Sequence, residues 1–338
     1  MRDDVDRVAA AAAVSVVHLT HPPSRQAWTG ALAVLVDVAG ARLCATPMLP
    51  RRGHVVLLND TQPGAEEWEA AIAIGAKRVL TLPADEGQLV AELSEAAQSR
   101  RDAGSGAVVA VMAGRGGAGA SLFATALARA AGDALLIDVD PWSGGIDLAL
   151  GSESEPGLRW PDLAVEHGRV DITALRQALP HHDGLSVLSS VRAGNDIDAG
   201  PLSAVIEAGR RGGATVVCDL PRRLTRAVEF VAETADLVVV VTTADVRACA
   251  ATTAVAAAMT AINPNVGLVV RGPSPGGLRA REVARIVDLP LLSAMRPQHG
   301  VAAALERGGL PLAHRSPLVA AARRVLSVLA QHPTAEAA

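Results

Sequence analysis

The sequence predicts an α/β protein in which a doubly wound parallel sheet is preceded by a smaller α/β domain. Two observations carry this prediction. Apolar runs of strand length alternate with helix patterns along most of the 338 residues, and such alternation predicts parallel sheets with helical crossovers. In the second half of the chain several runs, such as Val238–Val240 and its neighbours, are continuously apolar, which is typical of strands buried on both faces.

A polar stretch divides the chain. Residues 99–107 read SRRDAGSGA and are rich in glycine and serine, so we expect a linker there. The predicted division is a smaller domain over 1–98, a linker over 99–106, a larger domain over 107–331 and a flexible tail over 332–338.

The smaller domain alternates apolar runs with helix patterns, which predicts a small parallel sheet. Its expected strands are Val14–Leu19, Ala41–Thr46, His54–Asn59 and Arg78–Leu82. Its expected helices are Ser24–Val38, Gly64–Ile74 and Asp85–Gln98.

The larger domain contains six expected strands and a seventh candidate. They are Ala107–Met112, Ala134–Asp138, Leu185–Leu188, Thr215–Asp219, Leu237–Thr242, Val266–Val270 and Leu289–Leu292. An amphipathic helix over Pro317–Leu329 is expected to pack on this sheet. Ligands bind such sheets at the carboxyl ends of the strands, so the residues that follow each strand are the candidate functional residues.

The composition excludes several classes of protein. Aromatic residues are scarce, with no Tyr, two Phe and four Trp, which argues against a platform for stacking nucleic-acid bases. The net charge is −4, so no global positive field attracts DNA or anionic lipid. The three cysteines form no CxxC pair, and the acidic start MRDDVDR is unlike a secretory signal. We therefore expect a soluble cytoplasmic protein.

A glycine-rich loop follows the first strand of the larger domain. Residues 114–121 read GRGGAGAS, and a helix pattern of small residues comes next. Glycines let backbone N–H groups approach a phosphate, and a helix adds its positive amino terminus. Ser121 occupies the position from which a hydroxyl binds Mg²⁺. The candidate phosphate-binding residues are Gly114, Arg115, Gly116, Gly117, Ala118, Gly119, Ala120 and Ser121.

Aspartates follow two further strands of the larger domain. The segment DVDPWSGGID places Asp138 and Asp140 after the second strand, and CDLPRR places Asp219 at the end of the fourth. A glycine loop alone is weak evidence, and Asp138 and Asp140 could simply cap a helix. The ordered set of loop, D-x-D and strand-terminal aspartate favours a nucleotide site instead.

This order resembles the deviant-Walker-A P-loop ATPases of the MinD/ParA group, whose loop reads K-G-G-x-G-K-[ST]. The resemblance implies a P-loop NTPase-like fold and ATP or ADP with Mg²⁺ as cofactor. It assigns catalytic roles to Asp140 and Asp138, and metal-binding roles to Ser121 and Asp219. Arg115 falls on the signature lysine that reaches across a dimer, so the resemblance also implies a homodimer.

Four segments resemble more closely the CpaE-like branch of actinobacteria, which is linked to tight-adherence pilus and secretion loci and to septum-site determination. They are DVDPWSGGIDLALG, VVCDLPR, TTADVRA and LPLAHRSPLVAAARRVL. The resemblance implies a regulatory and positioning protein for the septum or for a pilus or secretion apparatus. Its partners would be proteins of that machinery, and it would be recruited from the cytoplasm to the pole or septum.

CpaE proteins also carry a receiver-like domain, and residues 70–93 are similar to the last third of a response-regulator receiver. Asp60 could match the phosphoacceptor. However, HLTH over 18–21 stands where a receiver has its acidic pair, and Leu82 stands where it has lysine. We therefore expect a degenerate receiver that serves contacts, with His18 and His21 too few for a metal site.

Ala120 departs from the ATPase pattern because it occupies the lysine position of the loop. A charged hydrogen bond contributes roughly 1.5–3 kcal/mol, so its loss weakens phosphate binding by about one to two decades. We expect a weak or absent ATPase. Two alternatives stay open: a slow but genuine ATPase that switches between monomer and dimer, and a ParA-like DNA-binding partition protein.

Binding to DNA or to membranes is not favoured by the sequence. Arg222, Arg223 and Arg226 form a short basic cluster in an acidic chain, which is typical of a solvated helix face. The last helix is followed by the acidic-leaning tail QHPTAEAA, so membrane association is expected to be at most peripheral.

Overall fold

The computed structural model describes two compact units, which divide between Gly104 and Ser105. The described residues are 1–45, 49, 52–102, 106–163, 170–192, 194, 196–273, 276–310, 312–313 and 315–331. Side chains are not described at positions 25, 26, 29 and 98–102. The predicted tail over 332–338 and positions 103–105 of the predicted linker lie outside the described residues.

The first unit is a three-stranded parallel sheet in the order β1-β2-β3, flanked by helices. Its strands are β1 Val34–Val36, β2 Val55–Asn59 and β3 Arg78–Thr81. Its helices are α1 Arg2–Ala11, α2 Arg25–Gly30, α3 Val38–Ala45, α4 Ala65–Ile74 and α5 Glu86–Asp102.

Strand β2 lies at the centre of this sheet, and all five of its residues are buried. Two apolar clusters cover the faces. Val5 and Val8 of α1 belong to one cluster, whereas Trp28, Ala41 and Cys44 belong to the other. Because helices cover both faces, the central strand is apolar from residue 55 to residue 58.

Three predictions for the first unit were wrong. Residues 14–19 form no strand, although Val14 and Val16 pack on the core. Ala41–Ala45 belongs to helix α3, and Thr46 lies outside the described residues. The helix expected over Ser24–Val38 is the short α2, capped by the Ser24 hydroxyl, followed by strand β1. Short apolar runs fit either a helix or a strand, so only their partners decide.

Helix α5 corrects the predicted linker, because it continues to Asp102, past the expected start of the linker at residue 99. Its Glu92 is buried and accepts hydrogen bonds from His54 (2.7 Å), Lys77 (3.0 Å) and Arg78 (2.8 Å). Burial by itself raises the pKa of Glu92, but these three basic side chains outweigh it and lower the pKa to about 2. These hydrogen bonds hold α5 against the amino ends of β2 and β3.

The second unit confirms the predicted doubly wound sheet, with strand order β11-β10-β9-β4-β8-β5-β7-β6 among the described residues. All pairs are parallel except β6 with β7. The strands are β4 Val108–Ala113, β5 Ala134–Asp138, β6 His181–His182, β7 Leu185–Leu188, β8 Thr215–Leu220, β9 Leu237–Thr243, β10 Val266–Arg271 and β11 Leu291–Met295. His181 and His182 form a short strand at the edge of the sheet.

Helices cover both faces of this sheet, and two apolar clusters result. The helices of this unit are α6 Ala120–Ala131, α7 Asp147–Leu150, α8 Ile172–Ala178, α9 Ala199–Arg211, α10 Arg226–Thr234, α11 Val246–Ile262, α12 Ala280–Val287, α13 Val301–Leu305 and α14 Pro317–Gln331. Helix α14 buries Leu318 and Val325 in the same cluster as Phe123 and Leu127 of α6, as predicted for the last helix. In the described part of the chain, no helix is both long and apolar enough to cross a bilayer.

Strand β4 lies between β8 and β9, at the centre of the sheet. Asp219 of β8 stands opposite Val111 of β4 on one side and opposite Asp138 of β5 on the other. The carboxyl ends of these three strands therefore bring the glycine loop and two of the predicted aspartates to one edge of the sheet.

Candidate nucleotide site

The loop after β4 has the backbone that a phosphate-binding loop needs. The Gly114 N–H donates to the Val241 carbonyl (2.8 Å), and a side chain at Gly114 would overlap Thr252. Gly117 and Gly119 have φ angles of +74° and +96°, in the left-handed region that favours glycine. Helix α6 then begins with the bond from the Phe123 N–H to the Gly119 carbonyl (3.0 Å).

The space above the loop is open. A Cβ atom on Gly116 or on Gly117 would meet no atom within 4 Å. The first N–H groups of α6 face the loop without helical acceptors, as at every helix start, and they attract anions. The shape therefore fits a phosphate group.

Ala120 supplies no charge to this loop. Its methyl group is 6% exposed and packs in the apolar cluster with Phe123, while Ala118 is fully buried. The predicted loss of the loop lysine is therefore a loss of positive charge at the phosphate position, and α6 itself begins normally without it.

Ser121 and Asp219 are the two residues predicted to bind the metal ion. The Ser121 hydroxyl is close enough to the Asp219 carboxylate to lower its pKa, and Asp219 is 2% exposed. Burial raises the pKa of Asp219 to about 8, helped by the negative charges of Asp138 and Asp140, while the Ser121 hydroxyl opposes the shift. A hydroxyl beside crowded carboxylates is an oxygen donor set that suits Mg²⁺, which would relieve their repulsion.

Asp138 organises the loop that follows β5. It is fully buried, and its oxygens accept hydrogen bonds from the backbone N–H groups of Asp140 (3.1 Å), Ile146 (2.9 Å) and Ser190 (3.3 Å) and from the Ser143 hydroxyl (3.0 Å). Burial raises its pKa to about 6 although these bonds oppose the shift. Such a saturated carboxylate fits a positioning role better than the catalytic role that the resemblance implied.

Asp140 lies two residues later and is only half-buried. One of its carboxylate oxygens accepts from the Trp142 N–H (3.0 Å), which fixes the turn at Pro141. The other oxygen has no hydrogen bond to the described residues, so Asp140 is the carboxylate of this loop that can contact a water molecule.

Arg115 turns toward the loop after β9 of its own chain. Its guanidinium lies 3.3 Å from the Asp245 carboxylate and donates to the Gly116 carbonyl (3.1 Å). Asp245 also caps helix α11 through the Ala248 N–H (3.0 Å). The predicted signature residue is therefore at the loop, 42% exposed and paired within the chain.

Two charged residues at this site were not predicted from the sequence. Asp245 follows β9 and holds Arg115, and Arg271 ends β10 and donates to the Gly117 carbonyl (2.9 Å). Both could have been found by extending to β9 and β10 the rule that functional residues follow parallel strands.

Comparison with known proteins identifies the family. Residues 1–104 match the family described as Rv3660c-like, CheY-like N-terminal domain. The whole chain is similar to protein Rv3660c of Mycobacterium tuberculosis strain H37Rv, with 60% identity over 332 residues, covering 97% of this chain and 95% of that protein. The chain belongs to the Rv3660c family. The match also confirms the predicted receiver-like first domain, although several of the helices and strands predicted for that domain were wrong.

The second unit of this Rv3660c family member has the fold of solved MinD and ParA proteins. The ParA family ATPase of Chlorobium tepidum TLS matches with TM-score 0.58 and 17% identity, over 66% of this chain and 98% of that one. MinD in the MinC:MinD complex of Aquifex aeolicus matches with TM-score 0.53 and 20% identity, over 65% and 96%. MinD of Pyrococcus horikoshii with Mg-ADP gives 0.51 and 15%, over 66% and 95%. The predicted MinD/ParA-type fold is confirmed.

The receiver-like unit is expected not to accept a phosphoryl group. Asp60 is exposed after β2, but Leu82 is buried where a receiver has lysine, and His18 is bound to Asp6 (2.7 Å). Residues 18–21, which stand where a receiver has its acidic pair, therefore offer no carboxylates to hold Mg²⁺. Incubation of the protein with acetyl phosphate and Mg²⁺ should leave its mass unchanged. A stoichiometric phosphoryl adduct that disappears in Asp60→Asn would contradict this.

Proposed function

We propose that this protein is a CpaE/MinD-like regulatory and positioning protein whose nucleotide site binds weakly and turns over little or no ATP. One observation carries the proposal. The loop keeps its glycine conformations and the Ser121–Asp219 pair, yet position 120 offers only a buried methyl group. A wholly abandoned site has no reason to keep a buried carboxylate beside two others, because their repulsion costs stability.

The residues present fit ATP or ADP with Mg²⁺, as in the Pyrococcus horikoshii MinD solved with Mg-ADP. The loop over 114–121 would hold the phosphates, and Ser121 and Asp219 would hold the ion. Mg²⁺ supplies charge neutralisation at the phosphates when it is bound. Asp140 would orient water, and Asp138 would keep the Asp140 loop in place through its four hydrogen bonds.

Calorimetry with Mg²⁺-ATP and Mg²⁺-ADP, together with an assay of phosphate release, tests the proposal. Weak saturable binding with little turnover supports it. Brisk hydrolysis would instead establish the alternative of a working switch ATPase. Absence of binding to either nucleotide would show that the site has lost its ligand altogether.

Dimerisation is proposed to use the carboxyl edge of the sheet. Three large apolar side chains stand exposed there, two in loops after strands and one at the first position of α11: Trp142 at 74%, Leu224 at 45% and Val246 at 75%. Exposed apolar side chains that cluster beside a polar site favour association with another protein. A second copy, which would bring the same residues, is the partner we propose.

Arg115→Ala is expected to weaken this self-association. Arg115 lies at the same edge as the exposed apolar residues, and its loss removes a half-exposed cation from the proposed interface. Arg285→Ala is the control, because Arg285 lies in the last turn of α12, which leads to the amino end of β11. Light scattering should give a lower apparent mass for Arg115→Ala than for Arg285→Ala. Equal masses would remove this role for Arg115.

The cellular role we propose is placement of the septum or of a pilus or secretion apparatus, with proteins of that machinery as partners. Recruitment of a labelled protein from the cytoplasm to the pole or septum would support this role, and uniform distribution would count against it. Arg222, Arg223 and Arg226 are all exposed, so DNA binding is the second outcome to test. A salt-dependent shift of non-specific DNA in a gel would favour it.

A further inference from the structure

Arg271 brings a guanidinium from a distant strand to the glycine loop. It is the last residue of β10, and β9 separates that strand from β4. Its Nη2 donates to the Gly117 carbonyl (2.9 Å), and its Nη1 lies 3.4 Å from the position that a Cβ atom on Gly119 would occupy. The guanidinium therefore contacts the half of the loop that leads into Ala120.

The charge of Arg271 is not balanced within the described residues. No carboxylate of that part of the chain lies within salt-bridge distance of it, whereas Arg115 is paired with Asp245. Partial burial lowers the pKa of Arg271, and the positive charge of Arg115 lowers it further. Two guanidinium groups thus lie at the glycine loop, and among the described residues only that of Arg115 is paired with a carboxylate.

Most hydrogen-bonding capacity of Arg271 is also available. A guanidinium has five N–H donors in a planar fork, and among the described residues only one bond, to Gly117, is made. The fork matches two phosphate oxygens. Arg271 also lines a cavity beside the loop, together with Leu122, Met295 and Pro297, so it borders space on the side of the loop toward β11.

We propose that Arg271 is the phosphate-binding cation of this site and replaces, from strand β10, the lysine that position 120 lacks. The ligand is the di- or triphosphate chain of a nucleotide. This inference rests on the proposed nucleotide function and adds to it the source of the positive charge. A guanidinium that reaches the loop from another strand is held less rigidly at the phosphates than a lysine on α6. Arg271 would therefore support nucleotide binding without the close contact to the transition state that such a lysine provides.

Affinity for Mg²⁺-ADP, measured by calorimetry, gives the first test. Arg271→Gln should weaken binding about tenfold, since a charge-assisted hydrogen bond to phosphate is lost. Arg271→Lys, which keeps the charge, should retain most of the affinity. Arg285→Gln, which removes an equal charge from α12, should bind like the wild type. Unchanged binding by Arg271→Gln would overturn the inference.

A double-mutant comparison separates a phosphate contact from a structural role. If Arg271 and a lysine at position 120 serve the same phosphates, Ala120→Lys should improve affinity more in the Arg271→Gln background than in the wild type. Equal improvement in both backgrounds would overturn the inference. A purely structural role of the bond to Gly117 would give no such difference.

Thermal unfolding without nucleotide supplies the folding control. Arg271→Gln relieves repulsion from Arg115, so its unfolding temperature should equal or exceed that of the wild type. A large fall in unfolding temperature, with binding lost in Arg271→Lys as well, would identify a structural residue and overturn the inference. If the wild type itself binds no Mg²⁺-ADP, the proposed function and this inference fail together. If the wild type binds and Arg271→Gln binds equally well, only this inference fails.

Discussion

Ala120→Lys is expected to raise the affinity for Mg²⁺-ATP by about one to two decades, the equivalent of one charged hydrogen bond of roughly 1.5–3 kcal/mol. The rest of the loop is ready to receive the charge. Gly117 and Gly119 already have the required positive φ angles, the space above Gly116 is open, and Ser121 is in place against Asp219. A lysine at the first position of α6 would also be tolerated by the helix.

The measurement is ATP affinity and phosphate release for the wild type and Ala120→Lys side by side. Recovery of turnover should be smaller than recovery of binding, because Arg115 is paired with Asp245 and the transition state needs exact alignment. Ala130→Lys, at the far end of α6, is the matched control for added charge. If Ala120→Lys binds no better than the wild type, the loop does not hold phosphate in the way its backbone suggests. Brisk turnover by the wild type would contradict the idea of a weakened ATPase.

Burial explains why the second unit could be predicted well from the sequence. Strands such as β8 and β9 are covered by helices on both faces, so each contains a continuous apolar run, over 216–218 in β8 and 237–241 in β9. The expected ends of Thr215–Asp219 and Leu237–Thr242 each differ from the structure by one residue. The residues that follow the strands are brought together by the sheet topology, which explains why the predicted residues Ser121 and Asp219 lie at the same edge of the sheet.

The first unit could not be predicted in the same way. The segment VSVVHL over 14–19 has strand composition, but it packs on the core without a strand partner. Ala41 and Cys44 are buried three residues apart, as on one face of a helix, yet the run is too short for its period to be read. In the site itself, Arg271 ends β10 and Asp245 follows β9, both far along the chain from the loop, and their contact with it depends on a strand order that no local pattern reveals.

Asp219→Asn is expected to stabilise the protein at pH 8 in the absence of Mg²⁺. Burial, together with the negative charges of Asp138 and Asp140, raises the pKa of Asp219 to about 8. In the unfolded chain an aspartate titrates near 3.9. Between about pH 4 and pH 8 the folded protein therefore binds more protons than the unfolded chain, so stability falls as the pH rises through this window. Asparagine removes this dependence.

Thermal unfolding of the wild type and Asp219→Asn at pH 5 and pH 8 measures the effect. Each pKa unit corresponds to about 1.4 kcal/mol, so a gain on the order of 2–4 kcal/mol at pH 8 and a much smaller gain at pH 5 are expected. For a unit of this size that is about 5–10 °C. Asp196→Asn, an exposed aspartate in the loop after β7, should show neither change. Mg²⁺ should stabilise the wild type and leave Asp219→Asn unaffected, because the ion binds the carboxylate that the variant lacks. A lower unfolding temperature for Asp219→Asn at pH 8 would mean that the carboxylate has a stabilising partner, and Ser121 would then be its structural anchor instead of a neighbouring metal ligand.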